Sequence, residues 1–128
     1  MASILLAEDD TSLRTFLARA LKKAGHEVLA VGDGDDALDA VRRQSFDLLL
    51  SDIVMPGLDG IELSRRARTM RPEMRIMFIT GFAAVALNER NGAPAGAQVL
   101  SKPFHLKDLV EQVGIFLDSQ ALVPDTPS

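Results

Sequence analysis

Acidic residues follow two short apolar segments that the sequence predicts to be buried strands. Glu8 and Asp9 come directly after the apolar run at residues 4–7. Asp52 comes directly after a second run, residues 48–51. If these strands are neighbours in one sheet, the three carboxylates converge in a shallow pocket, where they repel one another and either hold protons or recruit a cation. Oxygen ligands without His or Cys favour magnesium, manganese or calcium over zinc.

Two further polar residues end predicted strands, Thr80 after residues 76–79 and Lys102 after residues 98–101. A magnesium site with a hydroxyl and a lysine beside it suits a phosphoryl group. An aspartate in such a site can act as the nucleophile and form an acyl phosphate, while the metal neutralises charge on the phosphoryl oxygens. Asp52 is the best nucleophile, because it follows the most apolar strand and precedes a loop whose backbone can serve metal and phosphate.

The hydrophobic pattern switches repeatedly between strand-like and helix-like periods. Strands are predicted near residues 4–7, 28–31, 48–51, 76–79 and 98–101, and helices near 13–24, 37–41, 61–70, 82–91 and 106–117. Thr11 or Ser12 can cap the first helix, Asp10 beside them is expected to have a capping or surface role, and Gly25 can follow the end of the helix. Alternating units of this kind predict a doubly wound α/β domain, a parallel sheet with helices on both faces. Ligands bind such sheets beyond the carboxyl ends of the strands.

Length and composition limit the remaining possibilities. With 128 residues, 47% hydrophobic and 25% charged, we expect one folded domain over residues 1–120 and a disordered tail over residues 121–128. The absence of cysteine excludes thiolate zinc sites and cysteine nucleophiles. The net charge of −4 disfavours a nucleic-acid partner. The apolar runs are too short to cross a bilayer and no signal peptide is evident, so we expect a cytoplasmic protein without a membrane partner.

The chain resembles a response-regulator receiver domain of two-component signalling from residue 4 to about residue 117. Four motifs, in the order and spacing of that family, carry the resemblance: LAEDD at residues 6–10, SDIVMPGLDG at 51–60, FITG at 78–81 and SKPF at 101–104. The resemblance implies a flavodoxin-like, five-stranded parallel sheet in the order 2-1-3-4-5. It also implies a phosphoacceptor protein that phosphorylates and dephosphorylates itself, and not an enzyme that turns over an external substrate.

The resemblance assigns a role to each residue of the acidic cluster. Asp52 is the phosphoacceptor. Mg²⁺, or Mn²⁺ in its place, is held by Glu8, Asp9, Asp52 and the backbone carbonyl of Val54, with Asp9 as the direct ligand of the acidic pair. Beside the acidic cluster, the resemblance assigns Thr80 the role of the switch hydroxyl.

The last motif completes the expected site and contains a departure from the family. By resemblance, Lys102 pairs with the phosphate, and the Lys102–Pro103 bond is cis. Receivers usually carry Tyr or Phe three residues before the lysine, where this chain has Val99. The usual coupling of hydroxyl to aromatic ring is therefore missing from this strand, and another element must relay any switch.

The resemblance extends to stand-alone receivers that govern substrate delivery to the ClpXP protease. In that group a histidine kinase or histidine phosphotransferase donates the phosphate. The unphosphorylated receiver acts with the protease, and phosphorylation switches this activity off. The apolar run at residues 82–87 is either a buried helix start or a partner surface. We hypothesise that Phe82 and Val85, with Phe104 and the last helix, dock the partner.

Three alternatives compete with this interpretation. A phosphorelay shuttle, which passes the phosphate to a histidine phosphotransferase, is barely separable from a switch by sequence. An aspartate-nucleophile phosphatase of the haloacid-dehalogenase type is less favoured, because residues 8–11 have the wrong acid spacing and the chain has no length for a cap domain. A DNA-binding regulator is disfavoured by the negative charge. The acidic residues 33–36 lack the ligand spacing of a calcium loop.

Overall fold

The computed structural model describes residues 2–80, 94 and 96–122, with side chains up to residue 118. Within these residues, five strands and four helices follow one another as β1 (Ser3–Ala7), α1 (Thr11–Lys23), β2 (Glu27–Val31), α2 (Gly34–Arg43), β3 (Leu48–Asp52), α3 (Gly60–Met70), β4 (Arg75–Thr80), β5 (Gln98–Ser101) and α4 (Leu106–Leu122). The helix predicted over residues 82–91 and most of the expected tail lie outside the described residues.

The strands form one parallel sheet in the order β2-β1-β3-β4-β5, which confirms the doubly wound α/β prediction. Strand β1 lies between β2 and β3, so the strand order reverses beside it. Ala7 pairs with Ser51 at the end of β3. The residues that follow this pair, Glu8 and Asp52, are therefore brought side by side at the carboxyl edge of the sheet.

Helices cover both faces of the sheet and give the domain two apolar layers. In β1, Leu5 and Ala7 belong to the layer with α2 and α3, whereas Ile4 and Leu6 belong to the layer with α1 and α4. All four side chains are fully buried. This burial on both faces explains the continuous apolar run in the sequence, since successive side chains of a strand point to opposite faces.

Of the three polar residues considered at the start of α1, Asp10 has the capping role. The N-cap is Asp10, whose side chain accepts a hydrogen bond from the Leu13 N–H at 3.0 Å. Thr11 and Ser12 do not cap the helix, because both already lie in its first turn and only the extended residue before them reaches a free N–H. The predicted end is confirmed, since Gly25 has a positive φ of 101°.

None of the helices within the described ranges is both long and apolar enough to span a membrane.

Candidate functional site

Three carboxylates meet at the carboxyl edge of the sheet, as the strand-end pattern predicted. Oxygen atoms of Glu8, Asp9 and Asp52 all lie within 4.8 Å of one another. Glu8 is 1% exposed and Asp52 is 7% exposed, whereas Asp9 faces solvent. The cluster therefore has a buried floor and an open side, which gives a small anion or a hydrated cation access to it.

Lys102 supplies the positive charge of the site. Its Nζ lies 3.0 Å from Asp52 Oδ2 and 3.6 Å from Glu8 Oε1. Burial lowers the pKa of Lys102, but the hydrogen bond to Asp52 and the charges of Asp52 and Glu8 outweigh burial and raise the pKa above its ordinary value. The side chain is still 31% exposed, so the charged ammonium can also contact a group that enters from solvent.

Glu8 is the most perturbed group in the cluster. Burial, with a smaller contribution from the charge of Asp52, raises the pKa of Glu8 to about 7, although the Asp10 N–H bonded to Oε2 at 3.1 Å and the charge of Lys102 act in the opposite direction. Its other oxygen, Oε1, is buried and has no hydrogen-bond partner among the described residues. A buried oxygen of this kind is costly unless a proton or a cation satisfies it.

The charges and donor atoms fit a hard divalent cation. When all groups are ionised, three carboxylates face one ammonium, which leaves two negative charges uncompensated. The donors are all oxygens, which Mg²⁺ prefers, and Mg²⁺ keeps several waters that an open site can accommodate. The residues present therefore fit the magnesium site that the sequence predicted.

The loop after β3 holds Asp52 in place. Asp52 Oδ1 accepts a hydrogen bond from the Val54 N–H at 3.3 Å, and the Gly60 N–H donates to the Ile53 carbonyl at 2.7 Å. A Cβ at Gly60 would overlap the Asp52 carbonyl oxygen, so the loop returns to the end of β3 only because this position is glycine. Val54 itself is 58% exposed at the rim of the site.

The ends of β4 and β5 position Thr80 and Lys102. Thr80 is fully buried at the end of β4, and its carbonyl accepts a hydrogen bond from the Lys102 N–H at 2.8 Å. The Lys102–Pro103 bond is cis, as the resemblance implied. Val99, which stands where receivers usually carry an aromatic residue, pairs with Phe78 and packs against the layer of α2 and α3.

Of the three residues named for the hypothesised partner surface, the structure describes one. Phe82 and Val85 lie outside the described residues. Phe104 is only half-buried, and it packs against the layer that α1 and α4 share. The docking hypothesis stays a prediction.

Sequence reasoning missed one residue beside the site. Arg14, in the first turns of α1, donates a hydrogen bond from Nη1 to the Glu8 carbonyl oxygen at 2.7 Å. The helical pattern places Arg14 near the start of α1, six residues after Glu8. Only the turn between β1 and α1, which the pattern does not specify, brings the two together.

The family of the chain follows from comparison with known proteins. The model of the response regulator receiver domain matches residues 4–114. This chain belongs to the response regulator receiver domain family. It is therefore a receiver of two-component signalling, and the fold predicted for a receiver is the fold observed.

Individual relatives agree with this assignment. The receiver is 57% identical over 113 residues to the response regulator receiver protein CpdR of Brucella abortus (strain 2308), covering 88% of this chain and 94% of CpdR. It is 35% identical over 121 residues to the sensor kinase CckA of the same organism, covering 93% of this chain but 13% of CckA. The chain spans 24% of the length of FleR from Pseudomonas aeruginosa, another relative that it matches.

Solved receivers have the same architecture. The crystal structure of the receiver domain from the hybrid histidine kinase CckA superposes with a TM-score of 0.78 at 36% identity, covering 90% of this chain and 98% of that domain. A CheY-like receiver from Methanospirillum hungatei JF-1 superposes with a TM-score of 0.82 at 29% identity, covering 94% and 97% of the two chains.

Proposed function

We propose that this receiver is a stand-alone response regulator that a histidine phosphorelay phosphorylates on Asp52. The observation that carries the proposal is the environment of the Asp52 carboxylate. It is nearly buried at the switch point of the sheet, hydrogen-bonded by the Lys102 ammonium and flanked by two further carboxylates. This combination suits a nucleophile that receives a phosphoryl group better than it suits a purely structural ion pair.

The proposed reaction is a single phosphoryl transfer. A carboxylate oxygen of Asp52 attacks the phosphorus of a phosphohistidine, the phosphorus–nitrogen bond breaks, and the leaving imidazole takes up a proton from solvent. Lys102 stays charged because its pKa is raised, so it can pair with a phosphoryl oxygen after the transfer. The Thr80 hydroxyl is proposed to donate a hydrogen bond to a second phosphoryl oxygen.

Mg²⁺ is the proposed cofactor of this reaction, with Mn²⁺ as a substitute. Glu8, Asp9, Asp52 and the Val54 carbonyl would hold the ion, which when bound supplies charge neutralisation for the phosphoryl oxygens. Glu8 contributes a buried oxygen that has no hydrogen-bond partner among the described residues, and Asp9 contributes a carboxylate already open to solvent. Water hydrolyses the acyl phosphate in the same site, so the receiver dephosphorylates itself without turning over an external substrate.

Intact mass spectrometry tests the proposed acceptor. After incubation with Mg²⁺ and acetyl phosphate, the wild-type chain should gain the mass of one phosphoryl group, and omission of Mg²⁺ should prevent the gain. Asp52→Asn should gain nothing. Asp59→Asn is a matched control, because Asp59 is an exposed helix cap of the same loop and should leave the reaction unchanged. A phosphoryl group on Asp52→Asn would reject Asp52 as the acceptor.

The proposed output is a phosphorylation-dependent change in affinity for a partner protein, here the ClpXP protease. Support comes from the 57% identity to CpdR over 94% of its length, and from the likeness to stand-alone receivers that govern ClpXP. Phosphorylation replaces the single negative charge of the Asp52 carboxylate with a phosphoryl charge near −2 at the rim of the sheet, and this shifts the balance between two conformations. The unphosphorylated form is proposed to work with the protease, and phosphorylation from a histidine kinase or phosphotransferase to stop it.

A binding experiment separates this output from a phosphorelay shuttle. Immobilised wild-type receiver should retain purified ClpXP without acetyl phosphate and lose it when Mg²⁺ and acetyl phosphate are added. Asp52→Asn should retain ClpXP under both conditions. Equal retention of ClpXP by both forms, with phosphate passing instead to a histidine phosphotransferase, would favour the shuttle.

A further inference from the structure

We propose that Arg14 is a positioning residue that holds residues 8–10, the acidic turn, in the conformation that presents Glu8 and Asp9 to a divalent cation. The proposal rests on the magnesium and phosphate site proposed above. It adds to that site a residue from α1 that touches neither metal nor phosphate.

Among the described residues, three hydrogen bonds involve Glu8 in the acidic turn. The Glu8 N–H donates to the Val31 carbonyl at 3.1 Å, and the Asp10 N–H donates to Glu8 Oε2 at 3.1 Å. Arg14 Nη1 donates to the Glu8 carbonyl oxygen at 2.7 Å, the shortest of the three. The Glu8 carbonyl belongs to the peptide that joins Glu8 to Asp9. Arg14 therefore restrains the one peptide group whose rotation would turn the two carboxylates apart.

Gly32, just past the end of β2, leaves the space that the Arg14 guanidinium occupies. A Cβ built on Gly32 would lie 3.0 Å from Arg14 Nη1 and 3.6 Å from Cζ. The φ angle of Gly32 is not in the left-handed region, so the backbone here does not need glycine. The requirement at this position is steric, because a side chain here would crowd the Arg14 guanidinium, which lies between the end of β2 and the acidic turn.

The choice of a carbonyl as acceptor matters for cation binding. An arginine bonded to Glu8 or Asp9 carboxylate oxygens would neutralise them and compete with Mg²⁺. Across the described part of the chain, Arg14 forms no ion pair with a carboxylate, and its hydrogen bond goes to the backbone. Arg14 thus orders the turn and leaves the carboxylate oxygens available.

A purely electrostatic role and a positioning role of Arg14 predict opposite changes in Mg²⁺ affinity when Arg14 is removed. If Arg14 acted only as a nearby positive charge, Arg14→Ala would strengthen Mg²⁺ binding, because a repelling cation is lost. If Arg14 positions the turn, Arg14→Ala weakens binding, by about tenfold if the loss resembles that of other groups that orient metal ligands. The sign of the change therefore separates the two roles.

The experiment measures the Mg²⁺ dissociation constant of the full chain by isothermal titration calorimetry, and the rate of phosphorylation by acetyl phosphate as a function of Mg²⁺ concentration. Arg14→Ala should raise the dissociation constant about tenfold, while the rate at saturating Mg²⁺ changes much less. Arg19→Ala is the matched control, since it removes an exposed arginine from the same helix and should leave the constant unchanged or slightly lower. Gly32→Ala places a methyl group 3.0 Å from Arg14 Nη1, so the guanidinium must shift, and binding should weaken in the same direction as in Arg14→Ala but by less.

Far-UV circular dichroism establishes that each variant is folded, and Gly32→Ala tests the proposal by itself if Arg14→Ala does not fold. Unchanged or tighter Mg²⁺ binding by the folded variants would overturn the role of Arg14 while leaving the proposed function intact. A wild-type chain that neither binds Mg²⁺ nor gains a phosphoryl group would overturn both.

Discussion

Two acidic turns lie at the carboxyl edge of the sheet, and only one of them forms a site. The acidic turn, residues 8–10, follows β1, and the second acidic turn, residues 33–36, follows β2. The acidic turn precedes α1, whereas the second acidic turn includes the first residues of α2. Each supplies an N-cap, with Asp10 bonded to the Leu13 N–H at 3.0 Å and Asp33 to the Asp36 N–H at 2.7 Å. The two turns therefore cap their helices in the same way.

They differ in what lies beside them. Strand β1 is flanked by β2 and β3, so Glu8 is buried next to Asp52 and within reach of Lys102. Strand β2 is the edge strand, and Asp35 and Asp36 after it are exposed. The density of acidic residues therefore does not make a site. Burial beside the end of β3, next to Asp52 and within reach of Lys102, does.

The second acidic turn contributes to the site by packing. A Cβ at Gly34 would overlap the carbonyl oxygen of Leu58, in the loop that leads away from Asp52. The start of α2 thus lies directly against the loop that shapes the proposed phosphoacceptor site. The first turn supplies carboxylates and the second supplies a supporting surface.

The largest expected difference between the turns is chemical. Asp9→Asn removes a proposed metal ligand, so Mg²⁺-dependent phosphorylation by acetyl phosphate should fall by at least the roughly 10–100-fold that is typical for losing a group that supports a metal ligand. Asp35→Asn should phosphorylate at the wild-type rate. Intact mass at fixed times measures both rates. Equal rates for the two variants would mean that the turns do not differ in metal chemistry.

The second effect is a pH dependence of stability that belongs to the first turn. Between pH 4.5 and about 7 the folded chain keeps a proton on Glu8 that the unfolded chain has released. The contribution of Glu8 to the free energy of unfolding therefore falls as pH rises through this window, by at most about 3 kcal/mol. Urea unfolding in EDTA, followed by far-UV circular dichroism since the chain has neither Trp nor Tyr, measures the decline.

Glu8→Gln should remove this decline, because the amide does not titrate. Asp36→Asn, in the second turn, should retain the decline of the wild type. A Glu8→Gln variant whose stability still declines like the wild type over the same window would show that Glu8 does not carry the burial cost assigned to it.

A smaller effect tests the packing role of the second turn. Gly34→Ala forces a methyl group against the Leu58 backbone, which cannot rotate away as a flexible side chain would. Overpacking of this kind should lower the free energy of unfolding by about 2 kcal/mol. Gly114→Ala is the control, since its added Cβ meets no atom within 4 Å and a helix interior favours alanine. Urea midpoints that show no loss for Gly34→Ala would contradict the close approach.

The smallest effect concerns the property that the turns share. Asp10→Ala and Asp33→Ala each remove an N-cap and should each cost about 1 kcal/mol of stability. Neither should change phosphorylation by acetyl phosphate more than slightly, because the Asp10 backbone N–H that bonds Glu8 remains. Urea unfolding and intact mass check the two expectations. A cost several times larger for Asp10→Ala would indicate that its side chain also supports the site.

Much of the fold was open to prediction because it rests on local patterns. The continuous apolar runs in β1 and β3 reflect burial on both faces, and the bounds of β5 agree with the predicted residues 98–101. The start of α3 also follows a local signal, since an Asp-Gly pair comes directly before its apolar helical pattern and Asp59 is the N-cap. The sequence left the cap of α1 open, because Asp10, Thr11 and Ser12 are all suitable cap residues and the sequence does not say where the turn ends.

The sequence by itself determined which residues are candidates for the proposed chemistry. They are two acidic residues after one buried strand, one acidic residue after another strand, and a lysine after a third. The tertiary structure decided that these residues share one pocket, that the acids at 33–36 do not, and that Arg14 lies on the Glu8 carbonyl. The physical reason is that the periodicity and burial of side chains follow from residues that are close together in the sequence. The order of strands in the sheet depends instead on pairings between distant residues, such as those of β1 and β3, which are about forty positions apart. Such pairings produce no periodic pattern in the sequence.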